Sequence, residues 1–359
     1  MTLRDALSTR DNALNFARLV LAGLVIVSHA WPAGGFGKDP QLGDLTVGSW
    51  AVAGFFAISG YLVTGSRMRL SLDQFVLRRA LRIYPGFWVC LLVVAFALAP
   101  LACLRTGTPF DLERAASFVW ANSGAVMVQY GVGGELGKVP YPGIWDASLW
   151  TLLPELACYV LMGLVLTWPA ARRDVTRTAL GVLSALTIFN VASATMGVTR
   201  GTTPSDFLRL AAYFAAGSFL WALGERVRVS PRWVLGSIVM LALLVPLGVV
   251  DLLGALPLAY LVLAFGASCP VRWGVDRDLS YGVYVYAWPV QQMLVFAGVV
   301  RFGPLASIPA AGVLVLPLAW LSWTFIERPA IGLTRRRPQG AGPLHATVRP
   351  PVGSGEPVA

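Results

Sequence analysis

The chain has 359 residues, of which 56% are hydrophobic and only 13% are charged, and its mean hydropathy is +0.67. This balance excludes an ordinary soluble domain and predicts an integral membrane protein. The net charge of +10 could suit nucleic acid, but the basic residues are spread over the connections between apolar stretches. We therefore expect membrane lipids, and no nucleic acid, among the partners.

Ten apolar stretches have the roughly 20-residue length with which a helix crosses a bilayer. They lie at 14–31, 48–66, 84–104, 148–168, 178–196, 207–224, 233–250, 251–269, 279–301 and 304–326. Only Pro246 to Asp251 offers a break between the seventh and eighth stretches, so nine or eleven spans stay possible. The predicted fold class is an all-α polytopic membrane protein with about ten transmembrane helices.

The basic residues indicate how these helices are oriented. With ten spans, 20 of the 28 Lys and Arg residues fall on the side of the N-terminus and 6 on the opposite side. The positive-inside rule then places both termini in the cytoplasm. We expect one transmembrane domain over 1–333, followed by a Pro/Gly-rich cytoplasmic tail over 334–359 that cannot bury a core and is predicted to be disordered.

The first stretch contains Arg18 and His29, eleven residues apart. At about 100° per residue this spacing puts both side chains on one face of a helix, about 16 Å apart along its axis. Ionisable groups at membrane depth are rare and usually line a cavity or meet a partner. Glu155, about two turns into the fourth stretch, has the same character. We expect Arg18 or His29 as its partner, and the alternative is a structural glutamate that ties helices together.

The second stretch and the connection after it carry small and basic residues. Ser59 and Gly60 are typical of close helix packing, although a polar role for the serine stays open. Arg78 and Arg82 are one helical turn apart, with Arg79 beside them. Adjacent guanidinium groups suit phosphate oxygens, and the alternative is contact with lipid head groups.

Prolines and a long connection predict where other elements begin and end. Pro85 favours a break or a helix start, and Glu327-Arg-Pro looks like a helix stop. The outer connection 105–147 is long enough to be functional, and its aromatic residues, such as Trp120 and Trp145, favour packing over disorder. This connection could cover a site that faces outward.

The ninth stretch is unusually polar for a span. It contains Tyr281, Tyr284 and Gln291, and Pro289 would kink it and free a backbone carbonyl near mid-membrane. Such a helix could line a substrate passage. The alternative is that the tyrosines anchor the helix at the membrane interface.

Taken together and in this order, these segments resemble the acyltransferase 3 family of membrane O-acyltransferases, which includes bacterial O-antigen and exopolysaccharide O-acetyltransferases. The resemblance covers about Asn12 to Pro329. It rests on Arg18-x10-His29, Phe55-Phe-Ala-Ile-Ser-Gly-Tyr, Arg78-Arg-x-x-Arg-Ile-x-Pro, Ser148-Leu-Trp-Thr-Leu-x-x-Glu, Ser280-Tyr-Gly-x-Tyr and a closing Ser322-Trp with Glu327-Arg-Pro. The chain departs from many relatives in having Ala287 before the Trp-Pro of the ninth stretch, where they have histidine, and in lacking a C-terminal SGNH-type domain.

The resemblance implies transfer of an acetyl group from acetyl-CoA, without a metal, to a hydroxyl of a glycan or lipid-linked saccharide on the outer side of the bacterial inner membrane. His29 is then the expected catalytic base, or the residue that carries the acyl group, and Glu155 orients it or balances its charge. The expected donor-binding residues are Arg18, Arg78, Arg79 and Arg82, and the expected substrate-binding residues are Ser59, Trp150, Tyr281, Tyr284 and Gln291. A transporter or exporter of small organic acids or glycans that uses the buried Arg, His and Glu is the alternative function.

Overall fold

The computed structural model describes residues 1–9, 11–197, 203–274 and 277–334. The protein is mostly helical, at 74%. The strands in the described residues form one small antiparallel hairpin, β1 (Gln41–Leu42) with β2 (Leu45–Thr46). The helical part of the predicted fold class is thus confirmed. The predicted tail lies outside the described residues from 335 onward.

The helices follow one another along the chain. They are α1 (Leu3–Ser8), α2 (Leu14–Gly34), α3 (Val47–Arg69), α4 (Leu72–Val93), α5 (Ala99–Thr106), α6 (Leu112–Asn122), α7 (Leu152–Val165), α8 (Pro169–Arg173), α9 (Val175–Thr195), α10 (Thr203–Leu223), α11 (Pro231–Leu244), α12 (Val250–Leu253), α13 (Ala255–Ser268), α14 (Ser280–Phe296), α15 (Pro304–Ser322) and α16 (Arg328–Gly332). Short 3₁₀ turns at Leu149–Thr151 and Val299–Phe302, and π-helical turns at Val94–Leu98 and Trp323–Glu327, complete them. Each of the ten predicted spans overlaps one of the longer helices.

Five continuous helical stretches within the described residues are long and apolar enough to cross a membrane. They are Leu14–Gly34, Val47–Arg69, Leu72–Thr106, Val175–Thr195 and Pro304–Gly332. Other apolar helices, such as α7, α11 and α13, are shorter than the roughly 20 residues that a bilayer needs. The chain is therefore a multi-pass membrane protein.

Two helix boundaries predicted from prolines are wrong. Pro85 lies inside α4, which starts thirteen residues earlier at Leu72 and runs on through a π-helical turn into α5. Glu327 likewise does not end a helix, because a π-helical turn carries the chain from α15 into α16, where Pro329 sits in the first turn. In α4, the packing of the long apolar helix outweighs the one bond that Pro85 cannot make.

The predicted break between the seventh and eighth stretches is confirmed. Helix α11 ends at Leu244, the short α12 follows, and α13 begins at Ala255. Gly248 lies in this break with a φ of +63°, a left-handed conformation that glycine adopts without strain. The break thus separates two short apolar helices that the hydropathy pattern alone barely distinguishes.

Small residues bring α3 and α10 into close contact at the centre of the molecule. A Cβ on Gly60 would lie 1.9 Å from the carbonyl oxygen of Phe214, and a Cβ on Gly217 would lie 1.9 Å from that of Ala57. Beside this contact the hydroxyl of Thr64 donates to that of Ser218 at 2.9 Å. The packing role predicted for Gly60 is therefore confirmed.

Candidate functional site

Four helices meet around a small cavity, here called the central cavity, with a volume of about 40 Å³. It holds only a few water-sized groups. Its lining comes from α2, α3, α7, α14 and the turn before α7, and consists of Arg18, Val52, Phe55, Phe56, Thr151, Leu152, Glu155, Ser280, Tyr281 and Tyr284. The structure thus brings together four residues that the sequence singled out from three separate stretches, namely Arg18, Glu155, Tyr281 and Tyr284.

Glu155 has hydroxyl partners rather than the cationic partner that was predicted. It lies in the first turn of α7, where its Oε1 accepts hydrogen bonds from Ser59 at 2.9 Å and from the hydroxyl of Tyr159, one turn further along the helix. Arg18 lines the same cavity but pairs with another carboxylate. The prediction of a direct Arg18 or His29 partner is therefore wrong. Ser59 has a polar contact with the candidate catalytic glutamate besides its place in the packed helix.

Asp278 links two arginines at one end of the bundle. It lies two residues before α14, and its Oδ2 pairs with Arg18 of α2 and, at 2.5 Å, with Nη2 of Arg82 of α4. Its Oδ1 accepts a hydrogen bond from the hydroxyl of Ser280 at 2.5 Å. The other side of Arg82 pairs with Glu327 at 2.7 Å. These side chains are largely shielded from solvent, so this network of two carboxylates and two guanidinium groups fixes three long helices to one another.

The three arginines of α4 differ in their surroundings. Arg82 is held by Asp278 and Glu327, and its guanidinium also lies 5.4 Å from the centre of the Tyr281 ring. The guanidinium of Arg79 lies 5.8 Å from the centre of the Tyr159 ring, beside Glu155. Arg78 is half-exposed. The phosphate-binding role of this trio stays a prediction, and it would require Arg82 to exchange its carboxylate partners.

Tyr284 and Tyr281 are buried, so they are not the interfacial anchors that formed the alternative interpretation. The hydroxyl of Tyr284 shares a hydrogen bond of 2.6 Å with that of Thr151, and the hydroxyl of Tyr281 donates to the carbonyl of Ile83 at 2.7 Å. The ring of Tyr284 also packs edge-on against Phe55. Their hydroxyls and rings shape the central cavity from the side of α14.

His29 lies at the other end of α2, outside the lining of the central cavity as the described residues define it. Its ring packs edge-on against Trp288 of α14, with 4.9 Å between the ring centres. Its Nδ1 is buried and has no hydrogen-bond partner among the described residues. One turn beyond Trp288, the amide of Gln291 donates to the carbonyl of Ile26 at 2.8 Å and ties α14 to α2. A buried imidazole nitrogen without a protein partner keeps an unused capacity for one hydrogen bond.

The connection before α7 covers this end of the molecule. The ring of Tyr141 packs on Trp288 at 5.0 Å, and the Trp288 indole donates to the carbonyl of Ile144 at 3.2 Å. Trp145 is fully buried and donates to Glu135 at 2.6 Å. The predicted packing of this connection is confirmed for Trp145, whereas Trp120 is 82% exposed on α6.

A half-buried acidic group lies next to the His29 end of α2. The hydroxyl of Ser28, the neighbour of His29, donates to Asp39 at 3.2 Å in the connection after α2. Burial raises the pKa of Asp39, and the hydrogen bond from Ser28 opposes that rise. Trp150, predicted to bind substrate, packs against the hydrophobic core on the turn before α7.

Residues 11–324 match the sequence profile of the acyltransferase 3 family, described as an acyltransferase domain. The chain belongs to the acyltransferase 3 family. It is 31% identical over 363 aligned residues to nodulation protein 10 of Rhizobium leguminosarum bv. viciae, with 91% of this chain and 95% of the relative covered. It is 27% identical over 350 residues to an O-acetyl transferase of Shigella phage Sf6, covering 92% of this chain and 98% of the relative. No solved structure matches this chain significantly.

This membership makes the chain an acyltransferase, embedded in a membrane by its apolar helices. Two carboxylates of the network were missed as partners of the arginines. Asp278 stands just before a helix, where a charge is ordinary, and Glu327 was interpreted as part of a helix stop. The presence of Arg18 and Arg82 in or next to apolar stretches could have pointed to them, because an arginine within a membrane requires a carboxylate partner elsewhere in the chain. Tyr159 could have been found from its i,i+4 spacing to Glu155.

Proposed function

We propose that this acyltransferase moves an acetyl group from acetyl-CoA to a hydroxyl of a glycan or lipid-linked saccharide at the outer side of the bacterial inner membrane. The chain crosses that membrane ten times and keeps both termini in the cytoplasm. Acetyl-CoA enters from the cytoplasmic side, and the acceptor enters from the opposite side.

One observation carries this proposal: α2 holds Arg18 in a buried ion-pair network near its start and His29, with an unbonded Nδ1, near its end. With 1.5 Å of rise per residue the two side chains are about 16 Å apart along the helix. The central cavity lies beside the Arg18 end, and the connection over Trp288 lies beside the His29 end. The relative named an O-acetyl transferase supports an acetyl group and an oxygen acceptor.

The sidedness rests on charge. The basic residues concentrate on the connections that share a side with the N-terminus. By that rule Arg18 lies in the cytoplasmic half of α2 and His29 in the outer half. A donor that is made and kept in the cytoplasm then approaches Arg18 first, and an acceptor outside approaches His29.

In the proposed reaction His29 acts as the base. Its unprotonated ring nitrogen takes the proton of the acceptor hydroxyl while that oxygen attacks the thioester carbonyl of acetyl-CoA. A carbon–oxygen bond forms, the carbon–sulfur bond breaks, and the proton passes from the imidazolium to the departing thiolate. The products are the acetyl ester and free CoA, so atoms and charges balance.

The other residues bind and orient the reactants in this mechanism. Arg18, fixed by Asp278, presents its guanidinium to the acyl carrier in the central cavity. Glu155, held by Ser59 and Tyr159, presents its carboxyl group to the same cavity. Tyr281, Tyr284, Trp150 and Gln291 shape the passage between the two ends of α2.

The test uses purified full-length protein with acetyl-CoA that carries a label in the acetyl group, together with bacterial glycans and lipid-linked saccharides. We expect the wild type to transfer label and a folded His29→Ala variant to lose at least about 10²-fold in rate, because general base catalysis contributes about that much. The matched control is His345→Ala, which changes the other histidine of the sequence. Unchanged transfer by His29→Ala would contradict the base, and a stable acetyl-histidine found by mass spectrometry would replace direct transfer by a two-step route.

A further inference from the structure

A second cavity opens next to the Asp278 network. This inner cavity has a volume of about 390 Å³, which falls within the range of small-molecule sites in proteins. Its polar and aromatic lining consists of Asn15, Arg272, Trp273, Arg277 and Trp320, with Leu19 and Leu279 as apolar neighbours. The residues come from α2, α15 and the connection between α13 and α14. Val275 and Asp276 of that connection lie outside the described residues, and no part of the site depends on them.

The cavity combines flat aromatic surfaces with cations. Trp273 and Trp320 are 54% and 42% exposed, so part of each indole is free to contact a ligand. Indole faces stack on nucleobases, and stacking of this kind tolerates any purine or pyrimidine. Guanidinium groups bind phosphate oxygens in a planar, two-pronged geometry. Together these groups fit a molecule with one flat base and several phosphates.

The two arginines differ in how strongly the protein occupies them. Arg272 pairs with Asp11 at 2.7 Å and donates to the carbonyl of Cys269 at 2.5 Å, which holds its guanidinium at the rim. Arg277 is exposed, and no carboxylate among the described residues pairs with it. Arg277 is thus the cation with most freedom to bind an anion, in contrast to Arg82, which two carboxylates already hold.

The inner cavity adjoins the central cavity along two segments. On α2, Asn15 and Leu19 line the inner cavity and Arg18 lines the central one. On the chain entering α14, Arg277 and Leu279 line the inner cavity, and Ser280 and Tyr281 line the central one. Arg18 belongs to the first of these segments and Asp278 to the second, so their ion pair lies between the two cavities. A ligand with a bulky charged end and a narrow arm could fill the first cavity and extend past this pair toward the second.

We propose that the inner cavity binds the nucleotide end of coenzyme A, with its adenine against Trp273 or Trp320 and its phosphates on Arg277 and Arg272. The narrow arm of the carrier then runs past Arg18 and Asp278 toward Glu155. This assignment rests on the proposed function, because it names where the acyl donor of that reaction is held. It replaces Arg78, Arg79 and Arg82 as the site of the nucleotide phosphates.

The experiment measures binding by calorimetry, with full-length protein in nanodiscs of neutral phosphatidylcholine. The probes are coenzyme A and adenosine 3′,5′-bisphosphate, which represents the nucleotide end alone. We expect the wild type to bind both probes. Arg277→Gln should lower the affinity for each probe by about 10-fold or more, because the loss of a hydrogen bond to a charged group reduces binding by about that factor. Trp273→Leu should weaken both, and Trp273→Phe should restore most of the loss because it keeps a ring.

Arg173→Gln is the matched control, because Arg173 is an exposed arginine that does not line the inner cavity. We expect it to change both affinities less than twofold. In transfer assays, Arg277→Gln should raise the KM for acetyl-CoA and leave kcat within twofold, since the nucleotide lies far from the thioester. Arg82→Gln should not weaken the bisphosphate more than Arg173→Gln does.

The outcomes separate this site from the proposed function. If coenzyme A binds and acetyl transfer proceeds, but the Arg277 and Trp273 variants bind both probes like the wild type, the site assignment is overturned and the function stands. If those variants instead lose only retention of added anionic phospholipid, the cavity binds lipid head groups and the assignment is again overturned. If the wild type neither binds coenzyme A nor transfers acetyl groups, both proposals fall.

Discussion

The ion pairs around Asp278 give the sharpest prediction about stability. Asp278→Asn keeps the shape of the side chain but removes the negative charge between Arg18 and Arg82. Asparagine can still accept one hydrogen bond through its carbonyl oxygen. The change therefore isolates the electrostatic part of the network.

The size of the effect follows from the geometry. Since a nitrogen of Arg18 and a nitrogen of Arg82 contact the same oxygen, they lie no more than about 5 Å apart by hydrogen-bond distances. Two unit charges at that separation repel by about 3 kcal/mol at an effective dielectric constant of 20. Breaking a buried pair by removal of one partner costs about 3–5 kcal/mol in measured cases. The Arg18 and Arg82 side chains are only 19% and 17% exposed, so solvent screens this repulsion weakly. We expect Asp278→Asn to destabilise the protein by about 3–5 kcal/mol.

The assay compares free energies of unfolding from chemical denaturation in detergent micelles. Glu225→Gln is the control, because Glu225 pairs with Arg4 at 3.1 Å on the surface, where such a pair contributes less than about 1 kcal/mol. A double variant, Asp278→Asn with Arg18→Gln, should be more stable than Asp278→Asn alone, since it removes one of the two repelling charges. If Asp278→Asn lowers the free energy of unfolding no more than Glu225→Gln does, the electrostatic account of this network is wrong. The same holds if the double variant is no more stable than Asp278→Asn.

Three further changes test other parts of the molecule. Gly60→Ala should cost about 1–3 kcal/mol or more in thermal unfolding, because its Cβ would meet a backbone oxygen at 1.9 Å, whereas Gly236→Ala, with open space around it, should be neutral or stabilising. Glu135→Gln should speed proteolysis of the connection before α7, since it weakens the bond from the Trp145 indole; equal cleavage rates would argue against this bond as the tie. Because burial raises the pKa of Asp39, the folded protein favours the protonated carboxyl group. This group therefore contributes to the free energy of unfolding at low pH, and the contribution is lost as the pH rises through the pKa of the folded state. Asp39→Asn should therefore be more stable than the wild type at pH 7, with the difference vanishing below about pH 4.

Periodicity and hydropathy predict the helices of this chain well, because each apolar stretch must bury or immerse one surface along its whole length. The inward-facing position of Arg18 and the close packing at Gly60 follow from the same local rules. Local rules failed at Pro85 and Glu327, where contacts from distant helices outweigh the preference of proline for helix ends. The π-helical turns that let these helices continue have no clear sequence signature.

The partners of the charged residues could not be predicted from the sequence. Arg18 pairs with Asp278, 260 positions later, although Glu155 lies in the same cavity and looked equally suitable. Choice among several buried carboxylates depends on the three-dimensional packing of four helices, which no spacing along the chain encodes. Hydroxyl donors from Ser59 and Tyr159 satisfy Glu155 instead. The same limit hid the inner cavity, whose lining residues are far apart in the sequence.

Passage of an acetyl group from the Arg18 end to the His29 end of α2 is tested most directly in proteoliposomes that hold the protein in one known orientation. Acetyl-CoA labelled in the acetyl group, which does not cross the bilayer, is supplied on one side and a soluble glycan acceptor on the other. We predict labelled glycan only when the donor is on the side of the two termini and the acceptor is on the opposite side. If transfer instead requires both donor and acceptor on the side away from the termini, the proposed direction of acetyl transfer is wrong.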